Sequence, residues 1–531
     1  MKPILYFISL MCIWAQQHVH RPATEKPVAL LEGMGQYGHS ISTRNPQAQK
    51  FFDQGLNLLY GFNRYEALRS FRKAAELDST SAIARWGVAM AQGPHINMDL
   101  DGDANLQAYC KELEAARGIG QAAEADRTYV AAALTRCGDG NDSAYIAAMR
   151  DLARQYPDDL DAATFLAESL MIPVRWRWWS RDGRPAGGVE EAVQVLEEVM
   201  RRNPDHPGAN HFYLHAVEMS RSPERAIPSA QRLMGIVPGA GHLVHMPGHI
   251  WLLMGDYEIA AATNERAAEV DRQYMAKTGV SSSSYVGYYI HNLHFVAMAR
   301  AMQGRKADAT KAAQVLADSV MPHVETMAEM IDGFAPWPVF AALRFQDWDA
   351  VLSMKAPDAR LPVSSAILHY GRAIAFHAKG RSNDALAEKK RFGEAVRRVK
   401  PEAMWLFNKS ADVLAIAEAI LEARFASGET VFEWWKKAAQ REEALLYDEP
   451  PTWYYPVRES WGGALLRAGR ANEAETVFRE GVRMSRRNGR MLFGLMEALK
   501  TQGKQAQAEM VRKEYEAAWR RADVTLKIGD L

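Results

Sequence analysis

Gly61-Phe62-Asn63-Arg64-Tyr65-Glu66-Ala67, followed by Phe71, Ala74 and Asp78, decides the fold of this chain because it keeps returning. Gly255-Asp256-Tyr257-Glu258-Ile259-Ala260-Ala261 repeats it, with Ala267 and Asp271 behind. Gly304-Arg305-Lys306-Ala307-Asp308-Ala309, Gly380-Arg381-Ser382-Asn383-Asp384-Ala385 and Gly469-Arg470-Ala471-Asn472-Glu473-Ala474 are further copies. On either side, apolar residues recur every three or four positions, as in Ala67-Leu68-Arg69-Ser70-Phe71-Arg72-Lys73-Ala74-Ala75-Glu76-Leu77. That is the helical period. A glycine ends one helix in the left-handed conformation, and small alanines let the next helix lie close against it. Alternating strand patterns of useful length are absent. The expectation is an all-α chain of stacked helix pairs.

Composition narrows the rest. The 531 residues carry 64 Lys plus Arg against 64 Asp plus Glu, which argues against a nucleic-acid binder held by bulk charge. With 48% hydrophobic and 24% charged residues the chain is globular rather than disordered. Its 3 cysteines cannot build a disulfide scaffold or a four-cysteine zinc module. Residues 1–15 stand apart: Lys2 and Pro3 precede an apolar run from Ile4 to Trp14 that ends at Ala15. The run is too short to span a bilayer and has the form of a cleaved secretory signal. The expected location is periplasmic or secreted, with no membrane association after cleavage. In such a compartment Cys110 and Cys137 either pair or persist as two buried thiols.

The repeated turn resembles that of the tetratricopeptide-repeat (TPR) family over most of residues 46–520. The resemblance implies a right-handed TPR-like superhelical solenoid of about seven or eight helix pairs. It divides the chain into the leader 1–15, a polar segment 16–45, and TPR-like repeats over 46–188 that end in a Trp-rich loop. His-rich repeats 189–332 and C-terminal repeats 333–531 follow. Loop insertions interrupt it near Gly93-Pro94, over Pro173 to Gly188, and at Gly333-Phe334-Ala335-Pro336-Trp337-Pro338.

Seven of the 15 histidines fall between residues 211 and 294. His211 and His215 are four apart, and so are His245 and His249, with the second pair offset by 34 residues, the TPR period. The next repeat carries His291 and His294, and an offset of 49 aligns Gly255 on Gly304, His242 on His291 and His245 on His294. Residues four apart share a helix face. His211, His215, His245, His249, His291 and His294 are therefore expected to converge on the concave wall as metal ligands. His242 and Glu218 would be further ligands, or would orient an imidazole through its second nitrogen. Histidine ligation without cysteine suits copper, zinc or iron.

Trp176, Trp178, Trp179, Trp337, Trp453, Tyr454 and Tyr455 cluster in loops, where they either wall a substrate pocket or pack between repeats. The phrases around His211-Phe212-Tyr213-Leu214-His215, Gly241-His242-Leu243-Val244-His245-Met246-Pro247, Tyr289-Ile290-His291-Asn292-Leu293-His294 and Trp453-Tyr454-Tyr455-Pro456 resemble a group of exported bacterial TPR proteins. That resemblance speaks for the fold and the place of the site and implies no reaction. Three uses stay open: a metal-dependent enzyme, a metal carrier or sensor, and a protein-interaction scaffold. The groove would accordingly take a small molecule, a peptide or a protein partner.

Overall fold

The computed structural model describes residues 26–97, 103–138, 142–280 and 283–531. The apolar leader 1–15 lies outside the described residues. Among those described, the chain is all-α, and its strand content is a two-residue ladder of Met404–Trp405 with Asn408–Lys409. Successive helices pack as TPR-like hairpins. No helix among the described residues is long and apolar enough to cross a membrane.

The described residues fall into two compact units, those within Met1–Ile250 and Thr263–Tyr289, and those within Trp251–Ala262 and Ile290–Leu531. In the first, hairpins join Pro46–Tyr60 to Arg64–Leu77, Ala82–Met90 to Asp103–Arg117, Glu124–Leu134 to Asp142–Gln155, Leu160–Met171 to Val189–Arg202, and Pro207–Glu218 to Ile227–Ile236. In the second, they join Pro362–Ala378 to Ser382–Val396, Ser410–Phe425 to Thr430–Ala444, Arg458–Arg467 to Ala471–Met484, and Gly489–Thr501 to Gln505–Trp519. Cys110 and Cys137 are joined in a disulfide, so the open alternative resolves to pairing.

The repeated turns behave as the sequence implies at Gly255, Gly304, Gly380 and Gly469, all in the left-handed region with φ between 70° and 75°. The first copy departs from this. Gly61 has an ordinary φ of −90°, and Phe62 carries the left-handed conformation at φ 53°. A bulky residue there is strained, so its packing must hold it. Asn63 then caps the next helix by accepting from the Glu66 N–H.

Residues 26–45 run as an extended strap over the first repeats. Gln54 donates to the Ala29 carbonyl and accepts from the Leu31 N–H, Asn57 donates to the Tyr37 carbonyl, and Asp53 accepts from the His39 N–H. Buried Asp161 takes the hydroxyls of Tyr37 and Tyr60 and the Nδ1–H of His39. Burial pushes its carboxyl up, but hydrogen bonds and charge from His206 and His39 outweigh that and hold it well below the ordinary carboxylate range. The strap also meets the loop ahead of His242, where the Gly239 N–H donates to the Gly33 carbonyl at 2.8 Å.

Gly208, in the first turn of the helix Pro207–Glu218, lies against the fully buried Tyr60 ring, and a Cβ there would sit 2.4 Å from ring carbons. Tyr60 is anchored at both ends, by its backbone and through Asp161. Gly208→Ala should therefore destabilise the first unit by about 1–3 kcal/mol through overpacking. Thermal denaturation should show an earlier unfolding step; an unchanged melt would mean that the ring yields freely.

Candidate metal centre

The site begins where the first helix ends. Phe62 turns the chain after Tyr60, and the Tyr60 carbonyl, one of the groups a helix end leaves without an intrahelical partner, faces the helix Pro207–Glu218. There His211 Nδ1 lies 2.6 Å from it. A carbonyl only accepts, so Nδ1 carries the proton and Nε2 is left with a bare lone pair. One turn on, His215 Nδ1 lies 2.9 Å from Glu218 Oε1, and the carboxylate fixes the same tautomer. The Nε2 atoms of His211 and His215, and both ring nitrogens of His242, are buried without a hydrogen-bond partner among the described residues. Native proteins seldom leave buried ring nitrogens so.

These three residues share a focus. His211, His215 and His242 each offer one nitrogen, and the three nitrogens lie within 4.8 Å of one another. Ligands at about 2.1 Å from one ion span at most about 4.2 Å, so small ring rotations bring the set onto a single ion. His211 is 5.0 Å in ring-centroid distance from both His215 and His242. None of the three is more than 7% exposed, so only a small species reaches them.

A second pair adjoins the first. His249 Nδ1–H donates to Glu218 Oε2 at 2.7 Å, and His245 Nδ1–H to Asn264 Oδ1 at 2.6 Å. Their Nε2 atoms stand 2.9 Å apart. At that separation the two rings can share a proton or a cation. Glu218 thus takes one imidazole on each oxygen, which is the orienting role the sequence allowed it.

His242, expected as a further ligand or an orienting residue, offers its nitrogen to the same group as His211 and His215. Pro247, which lacks an N–H, divides the segment into the short helices Gly241–His245 and Pro247–Leu253, with His242 and His245 both on the first. His291 and His294 fall in the second unit. There His294 is buried, 4.8 Å from the Trp337 ring and 5.3 Å from that of Phe334, and His291 is half-buried, 5.1 Å from the Phe295 ring.

The aromatic residues divide in the same way. Trp176 and Trp178 stand 5.5 and 6.1 Å from the His215 ring, and the Trp179 indole N–H donates to the Ala216 carbonyl, pinning the loop to the His211–His215 helix. Trp453, Tyr454 and Tyr455 are buried in the second unit beside Phe340 and Tyr370. One residue escaped the sequence reading altogether. His95 follows the Gly93-Pro94 break, is 2% exposed, and leaves Nε2 without a partner among the described residues. Its ring lies 4.8 Å from Phe62, which also meets the imidazoles of His211 at 4.6 Å, His242 at 5.1 Å and His215 at 6.1 Å. No periodic pattern marks such a loop residue.

No family model and no curated protein matches the chain. Among solved structures it is similar to a human IFIT1 dimer with m7Gppp-AAAA at 13% identity, covering 90% of this chain and 91% of that one with a TM-score of 0.31. It is also similar to yeast Tom70 at 10% identity, covering 89% and 93% with a TM-score of 0.27. A Naa15/Naa10 complex bound to HypK-THB gives 11%, 90% and 90%, and 0.21.

Burial pushes His211, His242 and His245 well below the ordinary histidine value, with neighbouring imidazoles adding to the shift. Burial also lowers His215, although Glu218 opposes it. For Glu218 burial works upwards, and His249 and His215 outweigh it to hold the carboxyl at about 2. Unfolded imidazoles take protons near pH 6.5 while the folded ones resist, so in that interval the unfolded state binds more protons. Stability of the metal-free protein should therefore fall as pH drops below about 6.5, by about 1.4 kcal/mol per pH unit for each imidazole involved. Glu218 acts lower, its contribution present above 4.5 and lost towards about 2. Urea unfolding in chelator between pH 7 and 5 should show a slope above one proton, reduced in His242→Phe.

Proposed function

We propose that this protein holds one transition-metal ion on His211, His215 and His242 and uses it in chemistry on a small molecule. The observation that carries the reading is the set of three buried imidazoles whose tautomers are fixed, or free to turn, so that unpartnered nitrogens converge within 4.8 Å. Packing offers no account of it, because a buried imidazole placed for structure finds hydrogen-bond partners. Three protein ligands are the usual set of a catalytic rather than a structural ion, leaving a coordination position for water or substrate. Within the chain, Glu218 orients His215 from the second nitrogen, and the His245–His249 pair supplies a proton-sharing group beside the ligands.

The burial that favours a small molecule disfavours a peptide at this place, since a peptide needs an open surface. Imidazole ligation suits copper, zinc or iron, and the affinity order favours copper. The Cys110–Cys137 disulfide supports export to the periplasm or beyond, because such bonds persist where the surroundings are oxidising.

Elemental analysis of the full chain, purified without a histidine tag and reconstituted, should find one ion or more per chain. His211→Ala and His215→Ala should each weaken binding by about 100-fold or more, and Glu218→Gln by about 10- to 100-fold. His323→Ala, His369→Ala and His377→Ala should leave the metal content unchanged. Absence of stoichiometric metal would sink the reading and leave an interaction scaffold.

A further inference from the structure

His95 differs from the other imidazoles around Phe62 in which nitrogen is occupied. His211 and His215 give their Nδ1 protons to acceptors and keep a bare Nε2. His95 does the reverse. Its Nδ1 accepts the Asn97 backbone N–H at 3.4 Å, so in the neutral ring the proton sits on Nε2. Burial holds the ring neutral, and the cations Arg64 and Arg175 reinforce that. Nε2–H is thus a buried donor with no acceptor among the described residues, and in this tautomer it cannot ligate a metal.

The loop bearing it is held firmly. Arg64, from the same turn as Phe62, donates to the carbonyls of Met90 and Gly93, and Arg175, from the Trp-rich loop, donates to the His95 carbonyl at 3.3 Å. His95 and the three lone-pair imidazoles pack round one ring, with centroids 4.6 to 6.1 Å from that of Phe62. A buried donor packed on the same aromatic ring as three acceptor imidazoles is complementary to an ion that carries a further, electron-rich ligand: nitrogens to the metal, N–H to the ligand.

Resting on the metal reading above, we infer that His95 Nε2–H is the hydrogen-bond donor to the exogenous oxygen or anion that occupies the open coordination position on the ion, and is not itself a metal ligand. The exogenous group is of the class of hydroxide, a small oxyanion or a bound oxygen species, and it accepts one hydrogen bond from the protein here.

The test uses the full-length, copper(II)-loaded protein and azide as the anion probe, followed by its charge-transfer absorption. In His95→Leu, copper stoichiometry and affinity should match the parent while azide affinity falls about tenfold or more, the loss of one hydrogen bond to a charged group. His95→Gln, which restores an N–H, should recover azide affinity to within about threefold. If His95→Leu unfolds, His95→Phe replaces it. Loss of copper from His95→Leu, as from His211→Ala, would make His95 a ligand and overturn the inference. Azide affinity unchanged to within about threefold, or no recovery in His95→Gln, would overturn it as well. A parent protein that takes up no copper, zinc or iron overturns the metal reading and this inference with it. A parent that loads normally while azide is indifferent to His95 overturns the inference alone.

Discussion

The hydrogen bond from His211 to the Tyr60 carbonyl ties the first hairpin to the fifth and sets the orientation on which the histidine cluster depends. A helix end must place its last carbonyls somewhere, and most chains give them to water or to a capping glycine turn. Here the left-handed residue is Phe62, the Tyr60 carbonyl two residues before it faces the interior, and an imidazole from the fifth hairpin satisfies it. One bond therefore closes a helix, joins hairpins 151 residues apart in sequence, and decides which nitrogen of His211 remains bare. The next residues of the same turn extend the arrangement. Phe62 fills the space between imidazoles, Asn63 starts the following helix, and Arg64 reaches back to fix the loop that carries His95.

Around this bond the unit accepts a large desolvation. His211, His215, His242, His245 and His249 lie in contact, all at most 7% exposed, with Glu218 as the carboxylate among them. Apolar side chains in the same volume would pack without orphaned nitrogens, so the cluster lowers the stability that its helices would otherwise have. Such a cost is characteristic of sites kept for chemistry rather than for folding.

Much of the fold was legible because its signals are local. Four of the five quoted turns place glycine at a left-handed residue, and the helices between them show apolar spacing that survives without tertiary information. The site was legible only as far as the repeat stays regular. Thirty-four residues separate His211 from His245, yet it is His242, three residues earlier on the same short helix, that offers a nitrogen beside His211 and His215. Pairing of Cys110 with Cys137 was one of two open readings, because spacing alone says nothing of how a helix of one hairpin faces the turn inside the next. His95 was invisible, since a residue in an irregular loop acquires its neighbours entirely from long-range packing, and no spacing rule reaches from residue 95 to residue 211.

Glu218 has a consequence beyond orientation. One carboxylate serves His215 through one oxygen and His249 through the other. Any event that draws electron density from one ring must alter the basicity of the other, because the two share a single negative charge. By thermodynamic reciprocity the effect runs equally in both directions. The two halves of the cluster therefore act as one electrical unit with a shared reservoir of charge, and neither half has an affinity of its own that is independent of the state of its neighbour.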